Sequence, residues 1–219
     1  MRAGRREEAR GRRRIRFSDQ RADQIRFFTG EEYRGAVRVV RTLPEKIINS
    51  VVEIAPELLR AEGVEGLVLD LDNTLAGRRA PLPGKAMRAW ANSMQSAGVR
   101  MILLSNNHSK RVGTFAQAMG LPFLCNALKP LPWGFRRALR ELGLPPGRAA
   151  AVGDQIFTDV LGAHRAGMRA WLVLPIDRRE PPFTRLRRAL ERRILRRHGA
   201  LPPGWLPGGE PRGGAKTGE

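Results

Sequence analysis

Asp70 and Asp72 stand one residue apart at the end of the apolar run Leu67-Val68-Leu69. A continuous apolar run of this kind suits a short strand covered on both faces, here residues 66–71. At strand period the two carboxylates point the same way. Two anions held that close call for a cation or a proton between them. A divalent metal meets that demand, and a nucleophile beside an acid is its chemical use. Taken alone, the pair fits a solvated strand end equally well, so the surrounding elements have to decide.

Those elements repeat one pattern. Apolar runs at 99–104, 122–126, 148–152 and 168–174 alternate with amphipathic stretches at 84–97, 109–119, 131–142 and 156–166. Gly98, Gly120, Gly143 and Gly167 close the four amphipathic stretches. In the first of them Met87, Trp90, Ala91 and Met94 share one helical face. Strands alternating with helices predict an α/β fold, a Rossmann-like core with a five-stranded parallel sheet and helices on both faces. In such sheets ligands gather at the carboxyl ends of the strands. The polar punctuation falls there: Asp70 and Asp72, then Ser105-Asn106-Asn107, then Lys129 before Pro130, then Gly153-Asp154. Each piece alone is weak, and their convergence on one edge is the signal. His108 reads as a bystander.

The chain has a net charge of +19, which implies anionic company: nucleic acid, an acidic membrane surface or phosphorylated substrates. Residues 1–30 are Arg-rich and read as a disordered arm, one able to bind nucleic acid although that use is not favoured. Residues 31–63 are expected to form an N-terminal helical cover, 64–176 the core, 177–198 a basic amphipathic helix and 199–219 a disordered tail. A single cysteine, Cys125, excludes an intrachain disulfide and points to a reducing, cytoplasmic setting. Neither a signal peptide nor a membrane-spanning run is legible.

The motifs VLDLDNTL, LLSNN, LKP and GDQIFTDVLGAHRAG together resemble the four motifs of the haloacid dehalogenase (HAD) superfamily. More narrowly they resemble the YqeG group of class IIIA phosphatases, related to phosphatidylglycerophosphate phosphatases. The resemblance implies a phosphomonoester hydrolase working through an aspartyl-phosphate. Asp70 would be the nucleophile and Asp72 the acid and base. Ser105 and Lys129 would hold the phosphoryl group, helped by Thr74 and Asn106. Mg²⁺ would sit on Asp70, the backbone carbonyl of Asp72, and Asp154, supported by Asn73 and Asp159.

About thirty residues separate Asp72 from Ser105, and about twenty-four separate Lys129 from Asp154. One helix fills each gap, so no large cap domain is expected and the site should be open. An open site suits a phosphate on something large. In the C-terminal helix, Phe183, Leu186, Leu190 and Ile194 recur at helical spacing among arginines. That stripe either lies on an anionic membrane, as a peripheral contact on its inner face, or packs on the domain. The leading reading is hydrolysis of phosphatidylglycerophosphate. The alternatives are a phosphatase of a phosphorylated protein, a nucleic-acid end or a small metabolite, and an RNA- or ribosome-associated binding protein with little turnover.

Overall fold

The computed structural model describes residues 26–27, 42–107, 110–177 and 182–201. Most of the Arg-rich arm, His108 and nearly all of the tail lie outside the described residues. The strands are β1 (Arg26–Phe27), β2 (Lys46–Ile48), β3 (Gly66–Leu69), β4 (Arg100–Leu104), β5 (Phe123–Leu124), β6 (Ala149–Gly153) and β7 (Arg169–Val173). The helices are α1 (Pro56–Ala61), α2 (Lys85–Ser96), α3 (Lys110–Ala118), α4 (Pro132–Leu142), α5 (Leu161–Arg165) and α6 (Pro182–Arg197).

They form one sheet in the order β1-β2-β7-β6-β3-β4-β5, with β1 antiparallel to β2 and the remaining neighbours parallel. Strand alternation divides the core. Leu67, Leu69, Met101, Leu103, Val152, Trp171 and Val173 pack with α1, α2 and α3 on one side. Val68, Ile102, Leu104, Ala151, Ala170 and Leu172 pack with α4, α5 and α6 on the other. Both faces are covered, which is why the strands read as unbroken apolar runs.

Two expectations need correcting. Among the described residues the sheet has six parallel strands rather than five, plus the short antiparallel β1. The added parallel strand comes from the region expected to be a helical cover. Lys46-Ile47-Ile48 pairs with Trp171-Leu172-Val173. A lysine inside a three-residue strand hides the period, and it is buried because Glu62 meets its ammonium at 2.8 Å. Glu45 anchors the same strand, accepting from the Ala170 N–H at 2.7 Å and lying 3.0 Å from His164 Nε2. Pro56–Ala61 is helical, in keeping with the sequence reading.

Only α2 lies between the first two motif strands, β3 and β4, apart from its loops. Only α4 and a single 3₁₀ turn lie between β5 and β6. No cap is inserted at either gap among the described residues. β3 sits between β4 and β6, so the chain leaves it first to one side and later to the other. A crevice at the carboxyl end of such a strand is where open α/β sheets hold ligands.

Candidate active site

β3 ends at Leu69, and Asp70 stays tied to the sheet through its N–H, which donates to Val152 O at 2.9 Å. The chain then turns at once. Asn73 has φ 66°, and the Leu75 N–H returns to Leu71 O at 3.1 Å. The turn folds Thr74 back so that its hydroxyl donates to Asp70 Oδ2 at 3.2 Å. β4 delivers buried Ser105, whose Oγ accepts from the Asn107 N–H at 3.1 Å. Asn106 clamps the next loop: its Oδ1 accepts from the Lys129 N–H at 2.7 Å, and its Nδ2 donates to Lys129 O at 3.1 Å. β6 delivers Gly153 and Asp154, and a π-helical turn, Ile156–Val160, brings Asp159 back against the strand end. A Cβ at position 153 would lie 2.3 Å from Asp159 Cγ, so only glycine lets that carboxylate in.

The gathered groups form a buried charge chain. Lys129 Nζ donates to Asp70 Oδ1 at 2.5 Å and to Asp159 Oδ1 at 2.6 Å. Burial by itself would lower the Lys129 pKa, but the adjacent Asp159 and Asp70 outweigh it and leave it raised. Burial pushes Asp70 up to about 6, against the pull of Lys129 and with a further push from Asp159. Burial pushes Asp154 up to about 8, although Arg188 opposes the rise. The Asp154 carboxylate is bonded on one side alone. Arg188 donates to its Oδ2 and to its backbone carbonyl, while its buried Oδ1 has no hydrogen-bond partner among the described residues.

That orphaned oxygen tests whether a cation fits. A fully buried carboxylate oxygen without a donor is costly unless something cationic belongs there. Asp70, Asp154 and Asp159 each offer an oxygen, and these lie within 4.8 Å of one another. An all-oxygen carboxylate set suits a hard divalent cation such as Mg²⁺.

Not every expected residue joins the cluster. Asp72 does not share Asp70's surroundings, because the strand ends before the two can alternate along it. Its carboxylate accepts from Asn107 Nδ2 at 2.6 Å and pairs with Arg111 of α3. Arg111 also donates to Gly77 O at 3.0 Å and to Ala80 O at 3.1 Å, bracing the loop after the first motif. Asn73 accepts from the segment that follows β7. Its backbone carbonyl takes the Ile176 N–H at 3.1 Å and its Oδ1 the Asp177 N–H at 3.2 Å. Asn106 spends its side chain on the Lys129 backbone.

Asn107 was legible only as strand-end polarity, and three participants were missed from the sequence: Arg111, Arg188 and Glu191. Glu191 is wholly buried, accepts from the N–H groups of Ile156 and Phe157 at 2.9 and 3.3 Å, and pairs with Arg188 at 3.0 Å. Its pKa is raised by burial against the pull of Arg188. The signal that could have flagged it is its isolation, as the one acid on α6 among seven arginines.

The orientation of α6 runs against the packing alternative for the apolar stripe. The helix faces the core with Thr184, Arg188, Glu191 and Leu195, while Phe183, Leu186 and Leu190 are exposed and Ile194 is partly buried.

A family model described as haloacid dehalogenase-like hydrolase matches residues 4–167. The chain is 37% identical over 153 residues to the probable phosphatase YqeG of Bacillus subtilis, covering 70% of this chain and 89% of that protein. It is 29% identical over 150 residues to the chloroplastic phosphatidylglycerophosphate phosphatase 1 of Chlamydomonas reinhardtii, covering 64% of this chain and 56% of that protein. Among solved structures, it is similar to the cobalt-bound deoxy-D-mannose-octulosonate 8-phosphate phosphatase of Haemophilus influenzae. The TM-score is 0.44 at 14% identity, over 63% of this chain and 91% of that one.

Proposed function

The chain belongs to the haloacid dehalogenase-like hydrolases, and from that premise we propose that it is a Mg²⁺-dependent phosphatase of phosphatidylglycerophosphate, releasing phosphatidylglycerol at a membrane surface. The observation that carries the reading is the buried set of Asp70, Lys129 and Asp159 beside the unpartnered oxygen of Asp154. A carboxylate nucleophile, a cation to meet phosphoryl charge and an acidic corner able to hold a divalent cation are what phosphoryl transfer to a side chain needs. The lipid as substrate is supported by the algal relative's name and by motif gaps too short for a cap.

Asp70 attacks phosphorus in line, forming the Asp70–phosphorus bond as the bond to the leaving oxygen breaks. Asp72 gives that oxygen its proton. Asp72, now a base, takes a proton from water. The water oxygen attacks phosphorus, releasing inorganic phosphate and the Asp70 carboxylate. To do either job Asp72 must exchange its contacts with Arg111 and Asn107 for the reacting oxygen. The Lys129 ammonium neutralises the equatorial oxygens, and the Ser105 hydroxyl donates to one of them. Asp70 and Asp154, with the Asp72 carbonyl, would hold Mg²⁺, and Asp159 and Arg188 keep that set in place. Bound there, the cation would screen the nucleophile from the phosphoryl group and stabilise charge in the transition state.

Phosphate release by the full chain with Mg²⁺, from phosphatidylglycerophosphate and from soluble phosphomonoesters, tests the reading. Asp70→Asn is expected to lower release by roughly 10³-fold or more. Release from soluble esters alone would keep the phosphatase and remove the lipid. No Asp70-dependent release from any ester would favour a binding protein.

A further inference from the structure

We propose that the outward face of α6 is a docking surface for an anionic lipid bilayer. Phe183, Leu186 and Leu190 are 77%, 64% and 50% exposed. At 3.6 residues per turn they form one stripe, roughly 140° round the helix from the face that packs on the core. Exposed apolar side chains usually reflect scatter over a surface, but three in register on one helix make a patch. The patch has a cationic border: Arg185, Arg193, Arg196 and Arg197 are all exposed. The helix's one acid, Glu191, is buried against Arg188 and offers the outside no negative charge.

Two features favour a bilayer over another protein. A second copy of this chain would set one cluster of guanidiniums against another. An anionic bilayer offers acyl chains to the stripe and phosphates to the border at the same time. The polar inner face then has a clear reason to exist. Arg188 and Glu191 fasten the helix to Asp154 and to the turn at Ile156, so the apolar side chains stay free for the membrane. A helix is about 10 Å across. A bilayer on its outer face would therefore lie close to the phosphoryl site. Leu128, Leu131 and Trp133, next to Lys129 in the chain, are also exposed and add apolar surface around the same site. The surface follows from α6 alone and goes beyond the catalytic reading, so each can fail without the other.

Sedimentation of the full-length chain with phosphatidylcholine vesicles, with and without phosphatidylglycerol, tests it. The expected result is retention on the anionic vesicles. The combined change Phe183→Ser, Leu186→Ser and Leu190→Ser should weaken it about tenfold or more. Melting temperature and turnover of a soluble phosphomonoester should stay unchanged. Equal retention of wild type and triple variant would overturn the proposal, because the cationic termini alone would then account for binding. Failure of the wild type to bind at low salt would overturn it as well. So would a dimer that the triple variant dissociates. An environment-sensitive dye on Leu186→Cys, in a Cys125→Ser background, gives an answer that does not need the triple variant to fold. Its emission should shift to the blue on anionic vesicles, and unchanged emission would count against the proposal.

Discussion

Helices α4 and α6 pack on the same side of the sheet and do so by opposite means. α4 buries Phe135, Ala138, Leu139 and Leu142, and its arginines face out. α6 buries Arg188 and Glu191 with Leu195, and its largest apolar side chains face out. The first helix is held by area removed from water. The second is held by a charge network that reaches a strand-end acid of the active site. The difference teaches that an amphipathic pattern reveals two unlike faces without saying which one meets the core. Where a buried acid needs a cation, the polar face can win.

Breaking the network in α6 should have the largest effect. Arg188→Met leaves Asp154 and Glu191 buried without their partner. A loss of about 3–5 kcal/mol is expected in chemical denaturation, and calorimetry should show weaker Mg²⁺ binding. The matching change in α4, Leu139→Ala, removes only apolar contact. It should cost about 2–4 kcal/mol and leave Mg²⁺ affinity unchanged. A equal fall in metal affinity for both variants would dissolve the distinction.

The two docking modes should also separate with pH. The buried face of α4 carries no titrating atom, whereas Asp154, Asp70 and Glu191 all have pKa values raised chiefly by burial, the first two to about 8 and about 6. A raised carboxyl holds its proton in the folded state where the unfolded chain has released it. The stability these groups contribute is therefore greatest at or below the ordinary carboxylate pKa near 4 and falls as pH rises towards 8. In chelator, the melting temperature should drop across that window. Mg²⁺ should restore more of it at pH 8 than at pH 5, since a cation favours the ionised acids. A chelated protein whose melting temperature rises from pH 5 to 8 would contradict the assignment. The smallest effect belongs to the outer face: Leu190→Ser should change stability in solution by no more than about 0.5 kcal/mol.

The catalytic edge was legible because its logic is local. A buried parallel strand must end at the sheet's rim, and a polar residue placed immediately after it has nowhere else to go. Strand ends alone place Asp70, Lys129 and Asp154 at one edge. One turn further on that local logic no longer holds. Asp72 follows a chain that has already left strand geometry, and Arg111, on the far side of the next crossover, determines where its carboxylate points. β2 was illegible for a related reason: with three residues, one of them a buried lysine, it has no period to read, and its pairing with β7 and β1 and the Glu62 carboxylate make it a strand.

The sequence by itself determined the alternation of strands and helices, the residue types at the strand ends and the amphipathic character of α6. These follow from side-chain periodicity and from short-range turn chemistry. Tertiary structure alone decided which oxygen of Asp154 stays open, which cation answers Asp72 and which face of α6 turns inward. Each of those outcomes depends on a charge meeting its counterpart across a long stretch of chain. A buried ion pair forms only where folding removes both partners from water together, and no local pattern records that event.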